Sequence, residues 1–238
     1  MINVKKNTAF IFARGNSKGL VNKNIKLFDG KPLISYAIDI ALKSKLYDHV
    51  IVSTDSEEIA EISESFGAEI PFMRPKELAL DDSPELLSWK HAISSFEQKF
   101  SYKLATFSSI PCTSPLRKNI DLININNLYI ENNFDLVLGV TETNHSPHFN
   151  MMYKDSDNLM KIMIPSHTNV TRRQDSKKCY NITTIGYTGS PEYIINTDNI
   201  FNGNIGSCLI PKSRSIDIDD QNDFDIAEFL YKKNKVNE

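Results

Sequence analysis

Thr8-Ala9-Phe10-Ile11-Phe12-Ala13-Arg14-Gly15-Asn16-Ser17-Lys18-Gly19-Leu20-Val21-Asn22-Lys23-Asn24 is the stretch on which the reading of the fold turns. Its first five residues are β-branched, aromatic or small, the composition of a strand covered on both faces, as in a parallel sheet. Three cations and two glycines follow at once, so the chain leaves the carboxyl end of that strand in a basic turn. Open α/β sheets bind ligands at that edge. Gly15 and Gly19 would let backbone N–H groups approach an anion, while Arg14, Lys18 and Lys23 neutralise it. A triphosphate suits such a turn. The glycine spacing fits neither a Walker loop nor a dinucleotide fingerprint, and taken alone it is equally an ordinary basic loop.

Outward from that stretch, the chain alternates. Apolar residues recur with helical period over Pro32–Lys43, and His49–Thr54 reads as a buried strand, completing one βαβ unit. Asp55 or Ser56 caps a helix that stops at Gly67, with a short strand expected over Glu69–Phe72. Ser83 before Pro84 reads as a helix start, and Leu86, Leu87, Trp89, Ile93, Phe96 and Phe100 give that helix a broad apolar face. A strand over Tyr102–Ser108, a helix over Lys118–Asn132 and a strand over Asp135–Thr141 continue the rhythm. The pattern predicts an α/β fold with a doubly wound, mostly parallel sheet. From His145 to about residue 173 the rhythm breaks into short segments around Pro147 and Pro165, which predicts a projecting β-hairpin arm. Strands over Thr183–Thr188 and Ile205–Ile210 and a final amphipathic helix close the chain.

Composition narrows the function. The 238 residues carry 27 basic and 30 acidic side chains, a net charge of -3, too balanced for a nucleic-acid coat or an anionic membrane surface. Three cysteines without Cys-x-x-Cys spacing argue against a disulfide framework or zinc site and for a reducing compartment. With no apolar run of membrane-spanning length and no signal-peptide core, the expected location is the cytoplasm. His145 and His148 have metal-like spacing, but Pro147 forbids a regular helix there and no third ligand is near.

Three further motifs carry chemistry. In Ser215-Ile216-Asp217-Ile218-Asp219-Asp220, alternation puts Asp217 and Asp219 on one face of a strand end, where two carboxylates can hold Mg²⁺ together with water and phosphate oxygens. The same residues also suit a solvated strand end and a helix cap at Asp219 or Asp220. Cys112-Thr113-Ser114-Pro115-Leu116-Arg117 places hydroxyls and an arginine at the edge reached by the first loop, or simply caps a helix with Ser114. Thr171-Arg172-Arg173-Gln174-Asp175 offers adjacent guanidiniums to a carboxylate or phosphate, or is a charged turn.

Taken in order, Ala13–Asn24, Val52-Ser-Thr-Asp55, Arg74-Pro-Lys-Glu-Leu-Ala-x-Asp-x-Ser83, Thr113-Ser-Pro-Leu-Arg117, Arg172-Arg-Gln-Asp175 and Ser215-Ile-Asp-Ile-Asp219 resemble the acylneuraminate cytidylyltransferases, or CMP-sialic acid synthetases, across nearly the whole chain. The resemblance implies a Rossmann-like nucleotidyltransferase fold over 1–238 with 145–173 as a dimerisation arm, hence a homodimer. It further implies CTP and Mg²⁺, with transfer to the anomeric hydroxyl of a 2-keto-3-deoxy sugar acid and release of pyrophosphate.

By the same resemblance Arg14, Lys18 and Lys23 hold the triphosphate. Gly15, Asn16, Ser17 and Asn24 add contacts to the nucleotide, Arg74 and Ser83 frame the cytidine, and Asp217 and Asp219 bind the metal. Arg14, Lys23 and Asp219 are the implied catalytic groups. Thr113, Ser114, Arg172, Arg173, Gln174, Thr183, Thr184 and Tyr187 fall on the acceptor side.

The departures lie on that side. Pro111-Cys112 replaces the Gln-Pro usual before Thr-Ser-Pro-Leu-Arg, and Thr183-Thr184-Ile185 stands where Asn-Gly-Ala is usual ahead of a tyrosine. Losing an amide and filling a glycine position predict an acceptor other than N-acetylneuraminate bound in the usual way, such as another nonulosonic acid or an octulosonate of the Kdo type. Its carboxylate is expected at Arg172 or Arg173. A phosphonate acceptor, or a nucleotide-binding regulator without chemistry, is the competing expectation.

Overall fold

The computed structural model describes residues 5–16, 19–165 and 177–236. Six strands form one sheet: β1 (Lys5–Phe12), β4 (His49–Ser53), β5 (Lys103–Ser109), β6 (Leu136–Glu142), β9 (Tyr180–Gly189) and β10 (Ile205–Leu209), in the order β10-β6-β9-β5-β1-β4. β1 pairs in parallel with β4 and β5, β10 pairs in parallel with β6, and β9 runs antiparallel to both β5 and β6. Five strands therefore point one way and one is opposed, and the sheet is mostly parallel, as the alternation predicts.

Strand composition follows from burial on two sides. Ala9, Ile11, Val50 and Val52 face one layer, where Ile34, Ala37, Ile38 and Ala41 of α1 (Leu33–Ser44), Ile59 of α2 (Glu57–Ser65) and Leu122 of α4 (Asn119–Glu131) pack on them. The alternate residues Phe10, Ile51 and Phe107 face Trp89, Ala92, Ile93 and Phe96 of α3 (Glu85–Phe100) and Ile194 of α5 (Pro191–Asn196). Helices on both faces make the sheet doubly wound.

A third cluster holds the chain's two ends together. The hairpin of β2 (Leu27–Phe28) and β3 (Lys31–Pro32) turns through Asp29 and Gly30 with φ of 45° and 80°, the positive values that an Asp-Gly hairpin turn favours. Its Phe28 packs edge-on against Tyr36, Phe224 and Tyr231, so α6 (Gln221–Val236) is clamped beside the first loop.

Several expectations need correction. Residues 69–72 form only a single parallel bridge, Ile51 to Glu69, because Pro71 has no N–H to extend a ladder. Ser83 does not cap α3: Pro84 is extended and the helix opens at Glu85, one residue late. Ser114 does not cap α4 either; that helix opens at Asn119, with the Asp121 carboxylate accepting from the Lys118 N–H at 2.9 Å. Residues 215–219 belong to no strand, and Ser215 instead closes a one-turn 3₁₀ helix, Lys212–Arg214, with φ -96° and ψ 18°, so they are not a strand end. The expected arm contains a short hairpin, β7 (Met152–Lys154) with β8 (Met160–Ile162), while its 166–173 portion lies outside the described residues.

Candidate active site

The carboxyl edge of β1 and β4 is stitched together before any ligand is considered. Ala13 N–H bonds to the Ser53 carbonyl at 3.1 Å, and Gly15 N–H bonds to Asp55 Oδ1 at 2.9 Å. Arg14 Nη1 lies 2.7 Å from Asp81 Oδ1, and the buried Asn24 amide donates to the Arg14 carbonyl at 3.1 Å. Lys23 opens a one-turn 3₁₀ helix, Lys23–Ile25, entered through Asn22 at φ 52°. Asn16 is exposed at the tip, and Ser17 and Lys18 lie outside the described residues.

The acidic segment is laid directly on this loop. Ile218 N–H bonds to the Thr113 carbonyl at 3.0 Å, and Ser114 Oγ donates to the Ile216 carbonyl at 3.3 Å. Ile218, fully buried beside Leu20 and Phe28, anchors the segment, leaving Asp219 exposed. Lys23 Nζ reaches the Ile218 carbonyl at 2.5 Å and Asp219 Oδ1 at 3.5 Å. A Cβ on Gly19 would sit 2.4 Å from the Asp219 carbonyl oxygen, so the two backbones touch where only glycine fits. Asp220 caps α6: its Oδ1 accepts from Asp223 N–H at 3.0 Å, while Asp223 Oδ2 accepts from Asp219 and Asp220 N–H at 3.1 and 3.3 Å.

Asp217 is the unusual member. Burial holds its carboxyl above the ordinary range; the hydroxyls of Thr113 and Thr184 oppose this, neighbouring Asp219 adds to it, and Lys23 opposes it. Its Oδ1 is buried with no hydrogen-bond partner. A buried carboxylate oxygen without a partner, next to a second, exposed carboxylate, is a donor set that a divalent cation satisfies. No group of three or more histidines, cysteines or acids gathers among the described residues, so such an ion would draw its other ligands from water and phosphate.

The remaining predicted residues separate into those at the site and those beneath it. Arg74 is buried, bonded through Nη2 to the Ser53 carbonyl and through Nε to Ser53 Oγ at 3.3 Å, over the Phe12 ring. Burial lowers its guanidinium to about 10, still charged at neutral pH. Ser83 Oγ is buried without a partner. Thr184 Oγ1 and Ser114 Oγ are 2.7 Å apart, whereas the Thr183 hydroxyl is turned inward onto the Gly139 carbonyl at 3.0 Å. Tyr187 is half-buried, its ring 5.4 Å from Trp89, and burial with Glu85 and Asp217 nearby raises its phenol. Arg117 is wholly interior, donating to the carbonyls of Ile185, Pro111 and Thr184, and so braces the turn from below. Arg172, Arg173 and Gln174 lie outside the described residues.

Three acids escaped the sequence reading of the site. Asp55 and Asp81 hold the loop as described above, and both stand inside quoted motifs, a signal that was available. Glu85 was not signalled: it is open to solvent yet hemmed in by protein, accepting from Trp89 Nε1 at 3.1 Å. That confinement raises its carboxyl, Trp89 and Arg74 draw it down, and Asp217 raises it again.

A basic turn, a half-buried carboxylate with one oxygen lacking a partner, and an exposed carboxylate thus meet at one sheet edge. The sequence pattern of the cytidylyltransferases matches residues 8–181. The chain belongs to the cytidylyltransferase family. Two relatives from Campylobacter jejuni are each 33% identical to it. The CMP-N,N'-diacetyllegionaminic acid synthase aligns over 220 residues, 92% of either chain. The pseudaminic acid cytidylyltransferase aligns over 232 residues, 96% of this chain and 97% of that one. In fold, the structure of CMP:2-keto-3-deoxy-manno-octonic acid synthetase complexed with CTP has a TM-score of 0.72, covering 97% of this chain and all of that one at 13% identity. As a cytidylyltransferase the chain is a CTP-dependent nucleotidyltransferase, within the acylneuraminate group that its six motifs resemble.

Proposed function

We propose that this cytidylyltransferase joins CMP to the anomeric hydroxyl of a nonulosonic acid of the legionaminic or pseudaminic type, releasing pyrophosphate. The observation that carries the reading is the contact of the basic loop with the Asp217–Asp219 segment through Gly19 and Lys23, which puts basic and acidic groups side by side. The altered acceptor-side residues and the two equally similar relatives favour such an acid over N-acetylneuraminate.

In this reading Arg14, Lys18 and Lys23 neutralise the triphosphate, and Gly15, Asn16, Ser17 and Asn24 add contacts to the nucleotide. Ser83 Oγ, buried without a protein partner, meets the cytidine, and Arg74 stiffens the exit of β4 beneath it. Thr113, Ser114, Thr184 and Tyr187 border the acceptor, with Thr183 behind them, and Arg172, Arg173 and Gln174 bind it as well. The hydroxyl oxygen bonds to the α-phosphorus as the bond to the β-phosphate oxygen breaks, and fixed cations stabilise the charge that develops. A divalent ion held by Asp217 and Asp219, Mg²⁺ in this reading, would neutralise phosphate charge and make the hydroxyl easier to deprotonate.

We place the enzyme in the cytoplasm as a homodimer. No helix among the described residues is long and apolar enough to cross a membrane. The described part of the arm exposes Met152, Tyr153, Leu159, Met160, Met163 and Ile164, a surface suited to a second copy. The test is pyrophosphate release with Mg²⁺ across the four nucleoside triphosphates, with legionaminate, pseudaminate, N-acetylneuraminate and Kdo as acceptors. CTP with legionaminate or pseudaminate should turn over best. Fastest turnover on N-acetylneuraminate, or none with any acid, refutes the reading.

A further inference from the structure

Beside the acidic segment a cavity of about 430 Å³ opens between the end of β6, the start of β9 and residues 212–217. Asp217 lines it, as do Asn144, His145, Asn181 and Lys212. Lys212 belongs to none of the motifs discussed so far. Its position is nevertheless fixed. The Lys212 carbonyl accepts from Ser215 Oγ at 3.1 Å and Ser215 N–H at 3.3 Å, and Arg214, two residues on, forks onto the buried Asp121 carboxylate at 2.7 and 2.9 Å. Among the described residues the ammonium itself is loosely engaged: it reaches only Asn144 Oδ1, at 3.4 Å, and no carboxylate pairs with it.

Substrate chemistry supplies the other half. In a 2-keto-3-deoxy sugar acid the carboxyl carbon is bonded to the anomeric carbon, so it lies two bonds from the oxygen that attacks phosphorus. With that oxygen beside Asp217, the cavity that Asp217 lines is within reach of the acceptor's carboxylate. Two carboxylates so close repel, and a divalent ion at Asp217 and Asp219 would also have the triphosphate charge to offset, so a further cation beside them is favoured. Lys23 is already engaged with Ile218 and Asp219, on the nucleotide side. Glu142, also on the cavity wall, would repel the entering carboxylate as well, which adds to the need for a cation there. Asn144 and Asn181 suit the hydroxyl and acylamido groups of the sugar body.

We propose that Lys212 receives the carboxylate of the acceptor acid and so turns its anomeric hydroxyl toward Asp217. The assignment rests on the nonulosonic-acid reading above and gives to Lys212 the contact that sequence alone assigns to Arg172 or Arg173. The test measures pyrophosphate release at saturating CTP, with legionaminate or pseudaminate varied, for the full-length wild type, Lys212→Ala, Lys212→Arg, Arg172→Ala and Arg173→Ala. A charge-assisted contact predicts that Lys212→Ala raises KM for the acid about tenfold or more. KM for CTP and the melting temperature should stay unchanged, and Lys212→Arg should recover most of the loss. With the 1-carboxamide of the same sugar, wild type and Lys212→Ala should become equal. Turnover by the wild type with KM for the acid within twofold in Lys212→Ala overturns the Lys212 assignment alone, as does a KM effect confined to the arginine variants. Absence of turnover with every nonulosonic acid overturns both readings.

Discussion

Gly19→Ala tests whether the loop and the acidic segment act as one unit. The added Cβ would stand 2.4 Å from the Asp219 carbonyl oxygen, against 3.4 Å for an ordinary contact, so the two backbones must separate by about 1 Å. Neither partner is a flexible side chain that can step aside. Both strands of chain are loop, which keeps the folding penalty at the low end of overpacking, about 1 kcal/mol, or a fall of about 2–4 °C in melting temperature. The functional loss should be far larger. The same 1 Å separates Lys23 from the Ile218 carbonyl and the triphosphate from Asp217 and Asp219, and a displacement of that size costs about 10²-fold in rate.

Steady-state pyrophosphate release should therefore show kcat/KM for CTP falling about 10²-fold in a protein that still melts cooperatively. Gly15→Ala provides a graded comparison, because its Cβ would meet the Ser56 Cβ at 3.1 Å and needs a shift of only a few tenths of an ångström. It should lose less than Gly19→Ala. A Gly19→Ala enzyme within threefold of wild type would refute the claim that this close approach sets the site.

Four further outcomes follow from named contacts. Lys23→Ala should lower kcat about 10²-fold, the usual effect of deleting one preorganised donor, and a change below threefold removes Lys23 from the reacting centre. Ser83→Ala should leave urea-denaturation stability equal or higher, since it deletes a buried hydroxyl without a partner, while weakening CTP binding in calorimetry. Asp121→Asn breaks its buried fork with Arg214, whose side chain is 23% exposed, so the loss should sit near the low end, about 3 kcal/mol; a loss under about 1 kcal/mol in urea melts contradicts it. Burial pushes the Cys112 thiol up to about 12, leaving about one thiolate in 10⁴ at pH 8, and raises Cys208 as well; Cys179 should alone react quickly with a disulfide reagent, and whatever Cys112 reactivity exists should climb tenfold per pH unit below its pKa.

Most of the architecture was legible because the strands are covered twice. Phe10 packs toward α3 while Ile11 packs toward α1, so the run from Ala9 to Phe12 can be apolar throughout, and its shortness and β-branched and aromatic content mark it as strand. The errors have equally local causes. A Ser-Pro pair signals a helix start, but Pro84 is itself extended ahead of Glu85, and Ser114-Pro115 opens a turn closed by Arg117 N–H on the Ser114 carbonyl at 3.2 Å. The Asp29-Gly30 hairpin was signalled and overlooked. Arg117 reads as a site cation because charge is expected outside; its burial depends on three carbonyls, those of Pro111, Thr184 and Ile185, that only the fold brings together. The partner of Lys23, some 195 positions away, was beyond any local pattern.

The opposed strand β9 explains why the acceptor side could not be read from the parallel rhythm. β6 ends at Glu142 on the ligand edge, and the arm both leaves and returns there, because β9 enters the sheet at Tyr180, which pairs with Glu142. A strand entered from that edge without a crossover helix can only run backwards. Reversal sets the depth of each residue: Thr183 and Thr184 come early, near the edge, and Tyr187 lies deeper, against Trp89. It also delivers the chain to α5 at the far edge, from which β10 climbs beside β6 and releases Lys212, Arg214 and Asp217 back at the ligand edge. The arm's insertion point therefore fixes both walls of the acceptor cavity, the start of β9 and the 212–217 segment. Substitutions that change acceptor choice should concentrate on those walls and leave the CTP-binding loop untouched.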